Sequence, residues 1–237
     1  MRGIVILSLL TASLVYGAAN DYVEVRDMRL PAEGLTALKV DAGAGSLEVT
    51  GVADANEVVV TARIVVAAKD DAAARRIIAS DMVLNLENEG ELAVLASHFE
   101  SSLWSWHDSP AIDLEISVPE RFMLMVDDGS GPIKINDVRG DITIDDGSGS
   151  ISLMDVGGSV RIDDGSGSIR VTEVRDSVSI VDGSGSITVS AVGGSVFIDD
   201  GSGSIDVSDV AQDFIVTDDG SGSIKYAGIQ GRVETPE

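Results

Sequence analysis

The phrase Asp-Asp-Gly-Ser-Gly-Ser, or a close variant, recurs at a fixed interval through the second half of the chain. Its second Asp falls at Asp128, Asp146, Asp164, Asp182, Asp200 and Asp219, so the interval is 18 residues four times and then 19. Self-similarity at a period of roughly 20 residues marks a solenoid, in which each repeat is one turn that buries its apolar face only against its neighbours. No other feature restricts the fold as strongly.

One unit, SISLMDVGGSVRIDDGSG (150–167), states the internal pattern. Ile151 and Leu153 alternate with polar neighbours, as do Val160 and Ile162, which predicts two short strands with one buried face each. Val156 breaks the alternation and predicts a corner. Other units keep the same places: Ile133, Ile135, Val138, Ile142 and Ile144 before it, and Ile205, Val207, Val210, Phe214 and Val216 at the end. An antiparallel meander with Gly157-Gly158 as a hairpin turn is the rival. Three of the equivalent pairs, Arg139-Gly140, Arg175-Asp176 and Ala211-Gln212, lack the paired glycines of a tight primed turn. The expectation is therefore an all-β, single-stranded parallel β-solenoid (a β-helix) with coils of about 18 residues, each stacked on the last at roughly 4.8 Å.

Before residue 127 the period loosens. GAGSLEVTGV (43–52) reads as a degenerate unit, with Leu47, Val49 and Val52 in the core places. Strand-like runs follow at 57–66, 82–87, 91–96 and 112–118, and 70–80 reads as a short helix with acidic residues in its first turn. Residues 20–126 are thus expected to be an irregular capping region that closes one end, and 127–237 the regular repeats. Residues 1–19 read as a secretory signal peptide: Arg2, an apolar run over 4–15, then Gly17, Ala18 and Ala19. That implies export, to the periplasm, the cell surface or the medium. The apolar run is too short to span a bilayer as a helix, and no later segment is long enough.

Charge narrows the partners. The formal net charge is -24, with no Lys/Arg cluster, which disfavours nucleic acid and anionic lipid. There is no Cys, so disulfides, thiolate metal sites and Cys nucleophiles are excluded. A protein or glycan partner fits better.

The run IDLEISVPERFMLMVDDGSGPIKINDVRGDITI, with Val118-Pro119 leading into Gly-Ser-Gly-x-Ile repeats, resembles the bacterial putative-adhesin β-solenoid family. The early GSLEVTGV fits the same pattern. The resemblance spans roughly residues 35–235. It implies the fold and brings no catalytic residues. The Asp-Asp doublet before nearly every turn is more regular than that family requires.

Three sets of residues are candidates for chemistry. The six repeated Asp face inward by parity and suit an Asx-turn, in which the carboxylate accepts an N–H two residues on. The alternative is a comb of Ca²⁺ ligands at Asp128, Asp146, Asp164, Asp182, Asp200 and Asp219, since oxygen-only sets suit that ion; the known calcium-loop motifs are absent. A glycosidase-like carboxylate pair is the enzymatic reading, but a residue written into every coil is structural, so no catalytic residue and no cofactor is assigned. The remaining candidate is singular: SHFESSLWSWHDSPAI (97–112) gathers Phe99, Trp104 and Trp106 in a chain with 4% aromatics. It reads either as a plug over the solenoid end or as a partner contact. His98 and His107 show no ligand spacing. The leading expectation is a non-enzymatic exported envelope or surface protein, a binding scaffold with a rigid acidic face; the alternatives are a carbohydrate-active β-helix enzyme and a Ca²⁺-stabilised module.

Overall fold

The computed structural model describes residues 6–8, 21–100 and 110–236. The chain forms β1 (Ile6–Ser8), β2 (Asp21–Pro31), β3 (Ala37–Ala44), β4 (Leu47–Val52), β5 (Glu57–Ala67), α1 (Asp71–Asp81), β6 (Met82–Glu89), β7 (Leu92–Phe99) and β8 (Ala111–Pro119). The repeats then supply β9 (Met123–Ser130), β10 (Ile133–Val138), β11 (Ile142–Asp146), β12 (Gly149–Val156), β13 (Val160–Asp164), β14 (Gly167–Val174) and β15 (Val178–Asp182). The last coils hold β16 (Gly185–Val192), β17 (Val196–Asp200), β18 (Gly203–Val210), β19 (Phe214–Asp218), β20 (Gly222–Ile229) and β21 (Val233–Glu234).

These strands make two sheets. Sheet A runs β1-β2-β5-β8-β4-β10-β12-β14-β16-β18-β20, and sheet B runs β21-β19-β17-β15-β13-β11-β9-β3-β7-β6. Each coil lays one strand in sheet B, turns through Gly-Ser-Gly, and lays the next in sheet A. Register is in phase from coil to coil: Ile151 lies beside Ile169, then Ile169 beside Ile187, and Ile162 beside Ile180. All pairings among β9–β20 are parallel, so the solenoid is observed and the meander is not. The inward rows fill the space between the sheets. Ile133, Ile151, Ile169, Ile187 and Ile205 are each at most 1% exposed, and each contributes about 1.5–3 kcal/mol by leaving water.

The second corner of each coil explains why Val156 leaves the alternation. The residue before it, Asp155, sits at φ 54°, as do its equivalents Asp137 (61°), Glu173 (58°), Ala191 (57°) and Asp209 (54°). A left-handed residue re-aims the chain so that Val138, Val156, Val174, Val192 and Val210 all turn inward and are buried. Asp tolerates this conformation better than other L-residues, and three of the five are Asp.

The N-terminal region contributes two more coils. β3 lies between β7 and β9, and β4 lies between β8 and β10, so residues 43–52 are a working corner inside the stack. Val52 is a correction: it is 39% exposed, and Gly51 occupies the buried place because its missing side chain admits the Asp137 carbonyl of the next coil. β5 pairs antiparallel with β8, β2 with β5, and β6 with β7, which ends the parallel stacking at that side. α1 is capped by Asp70, whose carboxylate accepts the Ala73 N–H at 2.7 Å, and it buries Ala74 and Ile78. The proposed leader lies outside the described residues except for β1, which pairs antiparallel with β2; cleavage after residue 19 would leave β2 as the edge of sheet A.

Candidate functional site

The Asp-Asp-Gly-Ser-Gly corner is built the same way in coil after coil. In β13 the pleat turns Arg161 and Asp163 outward and Ile162 and Asp164 inward. Asp164 Oδ1 then accepts the Ser166 N–H at 3.0 Å. Asp146, Asp182 and Asp200 do the same for Ser148 (3.1 Å), Ser184 (3.0 Å) and Ser202 (3.0 Å). This is the Asx-turn predicted from sequence. The serines join the stack through their backbone: the Ser166 carbonyl accepts the Gly149 N–H at 3.0 Å, and Gly165 N–H donates to the Asp146 carbonyl at 2.9 Å. The two glycines have different reasons to be there. Gly167 has φ 153°, and a Cβ on it would overlap the Gly149 carbonyl oxygen of the preceding coil. Gly165 needs no positive φ, but its Cβ would stand 2.5 Å from the Gly147 carbonyl oxygen.

The result is a column of carboxyls sealed inside the solenoid. Asp128, Asp146, Asp164, Asp182 and Asp200 are 4%, 2%, 2%, 2% and 0% exposed. In all five the Oδ2 atom is buried and has no hydrogen-bond partner. Burial pushes the Asp128 carboxyl up to about 7, and the charges of Asp146 and Asp127 push the same way against one opposing N–H from Gly129. Burial likewise raises Asp146 and Asp182 to about 6, opposed by the Ser148 and Ser184 amides. Asp164 and Asp200 are also raised, again chiefly by burial.

Asp219 does not complete the column. The last coil carries one extra residue, so the register shifts after Ile198 and Asp199 pairs with Asp218. There Asp218 makes the turn, accepting the Gly220 N–H at 2.9 Å, and Asp219 stays half-buried. Outside, Asp127, Asp145, Asp163 and Asp199 lie exposed on sheet B, with Asp41 beside Asp127 and the exposed Val181 interrupting the row.

Phe99 ends β7 and packs half-buried against the core. Trp104, Trp106 and His107 lie outside the described residues. His98 sits beside Asp41, Nδ1 to Oδ1 3.8 Å.

Sequence reasoning missed a trough on the outer face of sheet A, where β4, β5 and β8 meet. It holds about 420 Å³ and is flanked by Ser46, Thr61, Arg63, Asp113, Glu48 and Lys134. Asp113 is tied to the Ser46 N–H at 3.0 Å and to Arg63 at 3.0 Å, and Lys134 pairs with Glu48 at 2.7 Å. These residues come from stretches far apart in sequence, brought together by the antiparallel β5–β8 pairing, which no local pattern announces.

Chemically, the inner carboxyls are out of reach of a polymer substrate, whereas a glycosidase needs two carboxyls flanking an accessible bond. Among the described residues no group of three or more His, Cys, Asp or Glu is placed to hold a metal ion, and no helix is long and apolar enough to cross a membrane.

The chain matches no protein-family profile and no curated protein. Among solved structures it is similar to a putative adhesin from Bacteroides fragilis, at 12% identity over 90% of this chain and 96% of that one, with a TM-score of 0.44. It is also similar to a putative cell adhesion protein from Clostridium sporogenes (13% identity, 91% and 97% covered, TM-score 0.35). A third is a putative lipid binding protein from Parabacteroides distasonis (15% identity, 93% and 98% covered, TM-score 0.30).

Proposed function

We propose that the chain is an exported, non-enzymatic envelope or surface protein whose outer faces bind a protein or glycan partner. One observation carries this reading. The inward rows repeat almost without change, whereas the outward rows vary freely except for one persistent acidic row, Asp127, Asp145, Asp163 and Asp199. A rigid wall with a regular charged stripe, and no accessible catalytic constellation among the described residues, suits recognition by cationic or hydroxyl-rich surfaces.

The test is binding of the purified protein to isolated envelope fractions and to a polysaccharide panel. Replacing Asp127, Asp145, Asp163 and Asp199 together by Ser is expected to weaken association by about tenfold or more, roughly 1.4 kcal/mol, with the protein still folded by circular dichroism. Added salt should weaken wild-type binding in the same way. Association indifferent to both changes would remove the acidic row as the contact. A variant lacking residues 101–109 assigns or removes the tryptophan segment. New reducing ends released from any polysaccharide would replace this reading with the enzymatic one.

A further inference from the structure

We propose that the five inner carboxyls form a protonated ladder, in which each Oδ2 carries a hydrogen and donates it to the carboxyl of the neighbouring rung. The ladder is complete in mild acid and comes apart as the pH rises through neutrality.

The rungs are in register. Asp128 lies beside Asp146, Asp146 beside Asp164, Asp164 beside Asp182, and Asp182 beside Asp200. Parallel strands put successive rungs about 4.8 Å apart, the repeat at which stacked Asn side chains form hydrogen-bonded ladders. A neutral carboxyl has the same inventory as such a rung. It offers one O–H donor, and an Oδ1 that keeps a free lone pair after accepting the serine N–H. Five buried oxygens without partners need hydrogens or a cation, because a buried polar atom left bare is destabilising, and more so if charged.

A cation fits poorly. Ca²⁺ takes about 6–8 oxygens, whereas two successive rungs offer one free Oδ2 each, and the Asp128, Asp146, Asp164 and Asp182 carbonyls are occupied by glycine N–H groups of the next coil. The charges around the column are all acidic: Asp127, Asp145, Asp163 and Asp199 on the same strands, the neighbouring rungs, and Asp219 beside Asp200. The opposite wall is apolar, and among the described residues no buried Lys, Arg or His is present. The column has polarity as well. Beyond Asp128 the next strand carries Ala42, which cannot accept, and beyond Asp200 stands the half-buried Asp219, so donation runs from Asp128 toward Asp219, whose carboxyl oxygens offer the last acceptor.

The sign of the pH dependence follows. Folded carboxyls hold their protons more tightly than the unfolded chain does. The stabilisation is whole below the ordinary carboxyl range and is lost as pH rises through about 6 for Asp146 and Asp182 and about 7 for Asp128.

Urea unfolding of the full chain at pH 5 and pH 8 tests the ladder. The wild-type midpoint is expected to fall between the two. The double variant Asp164→Asn with Asp182→Asn retains an acceptor for each serine N–H and a donor for the next rung. It is expected to show a smaller fall and to exceed wild type at pH 8. The corresponding double Ala variant should be weak at both. A wild-type midpoint that is flat or rises overturns the proposal, and so does an Asn variant as weak as Ala at pH 8. A midpoint restored at pH 8 by millimolar Ca²⁺ but not by Mg²⁺ also overturns it, putting a bound cation in place of the hydrogens. If the Ala variant fails to fold, the wild-type profile and the Asn variant still decide.

Discussion

Gly167→Ala is expected to destroy the stack. The new methyl would overlap the Gly149 carbonyl oxygen, a backbone atom of the coil beneath, and the backbone at φ 153° is one an L-residue rarely adopts. No rotamer relieves a clash at Cβ, and Gly149 is held by its own hydrogen bond to the Ser166 carbonyl. The coil must lift from its neighbour, losing ladder bonds and inward Ile contacts together. The expected loss exceeds about 4 kcal/mol, the range reserved for such named failures, and soluble folded protein should be scarce. Gly34→Ala is the matched control. Gly34 also has positive φ, 77°, but a Cβ there meets nothing within 4 Å. That change should cost only about 1–2 kcal/mol. Circular dichroism melts of both variants check the contrast; a Gly167→Ala protein melting within a few degrees of wild type would contradict the packing described for the corner.

Removing one whole coil should be far milder than removing one residue. Excision of residues 165–182 joins Asp164 to Gly183 and deletes one period of 18. β12 then stacks on β16 and β13 on β17, with every inward row intact. Because each coil contacts only its neighbours, the loss is that of one repeat and its interface, and the shortened chain should still melt cooperatively. Deleting Arg170 alone turns Val171 outward and sets Thr172 toward the core, since strand side chains alternate with period 2. Each such exchange costs about 1.5–3 kcal/mol of apolar burial, and the error lies mid-strand. The last coil shows where an irregularity is tolerated: its extra residue is absorbed beside the corner, where Thr217 Oγ1 donates to Asp199 at 3.0 Å. Equal melting of the two deletion variants would contradict the register.

The repeat was legible because the sequence aligns on itself. Parity placed Asp164 inside, and the Asx-turn followed from residue types alone. The left-handed residue before Val156 was not legible as such: Glu173 and Ala191 adopt the same φ as Asp155, and no side chain announces it. Neither was the place of β3 and β4 within the stack, because their partners lie far along the chain, Ala37 beside Leu92 and Met123 and Leu47 beside Leu114 and Ile133, and the pairing is settled by which edges remain open. Asp219 misled because an alignment counts positions, whereas a bulge changes which Asp makes the turn. The unpartnered Oδ2 atoms could not be read from sequence at all. That the carboxyls face inward was foreseeable; that one oxygen of each is satisfied and the other is not depends on the shape of the corner.

The repeated Asp doublet divides its two members between solvent and core, and the inner member is a structural rung whose charge is suppressed by burial. A carbon-13 NMR titration of the Asp side-chain carboxyls, assigned by single Asp→Asn variants, tests this most directly. The expected result is that Asp128 titrates near pH 7 and that Asp146 and Asp182 titrate near pH 6. Inner carboxyls that all titrate in the ordinary range around pH 4 would show them already ionised in mild acid, and would contradict the account.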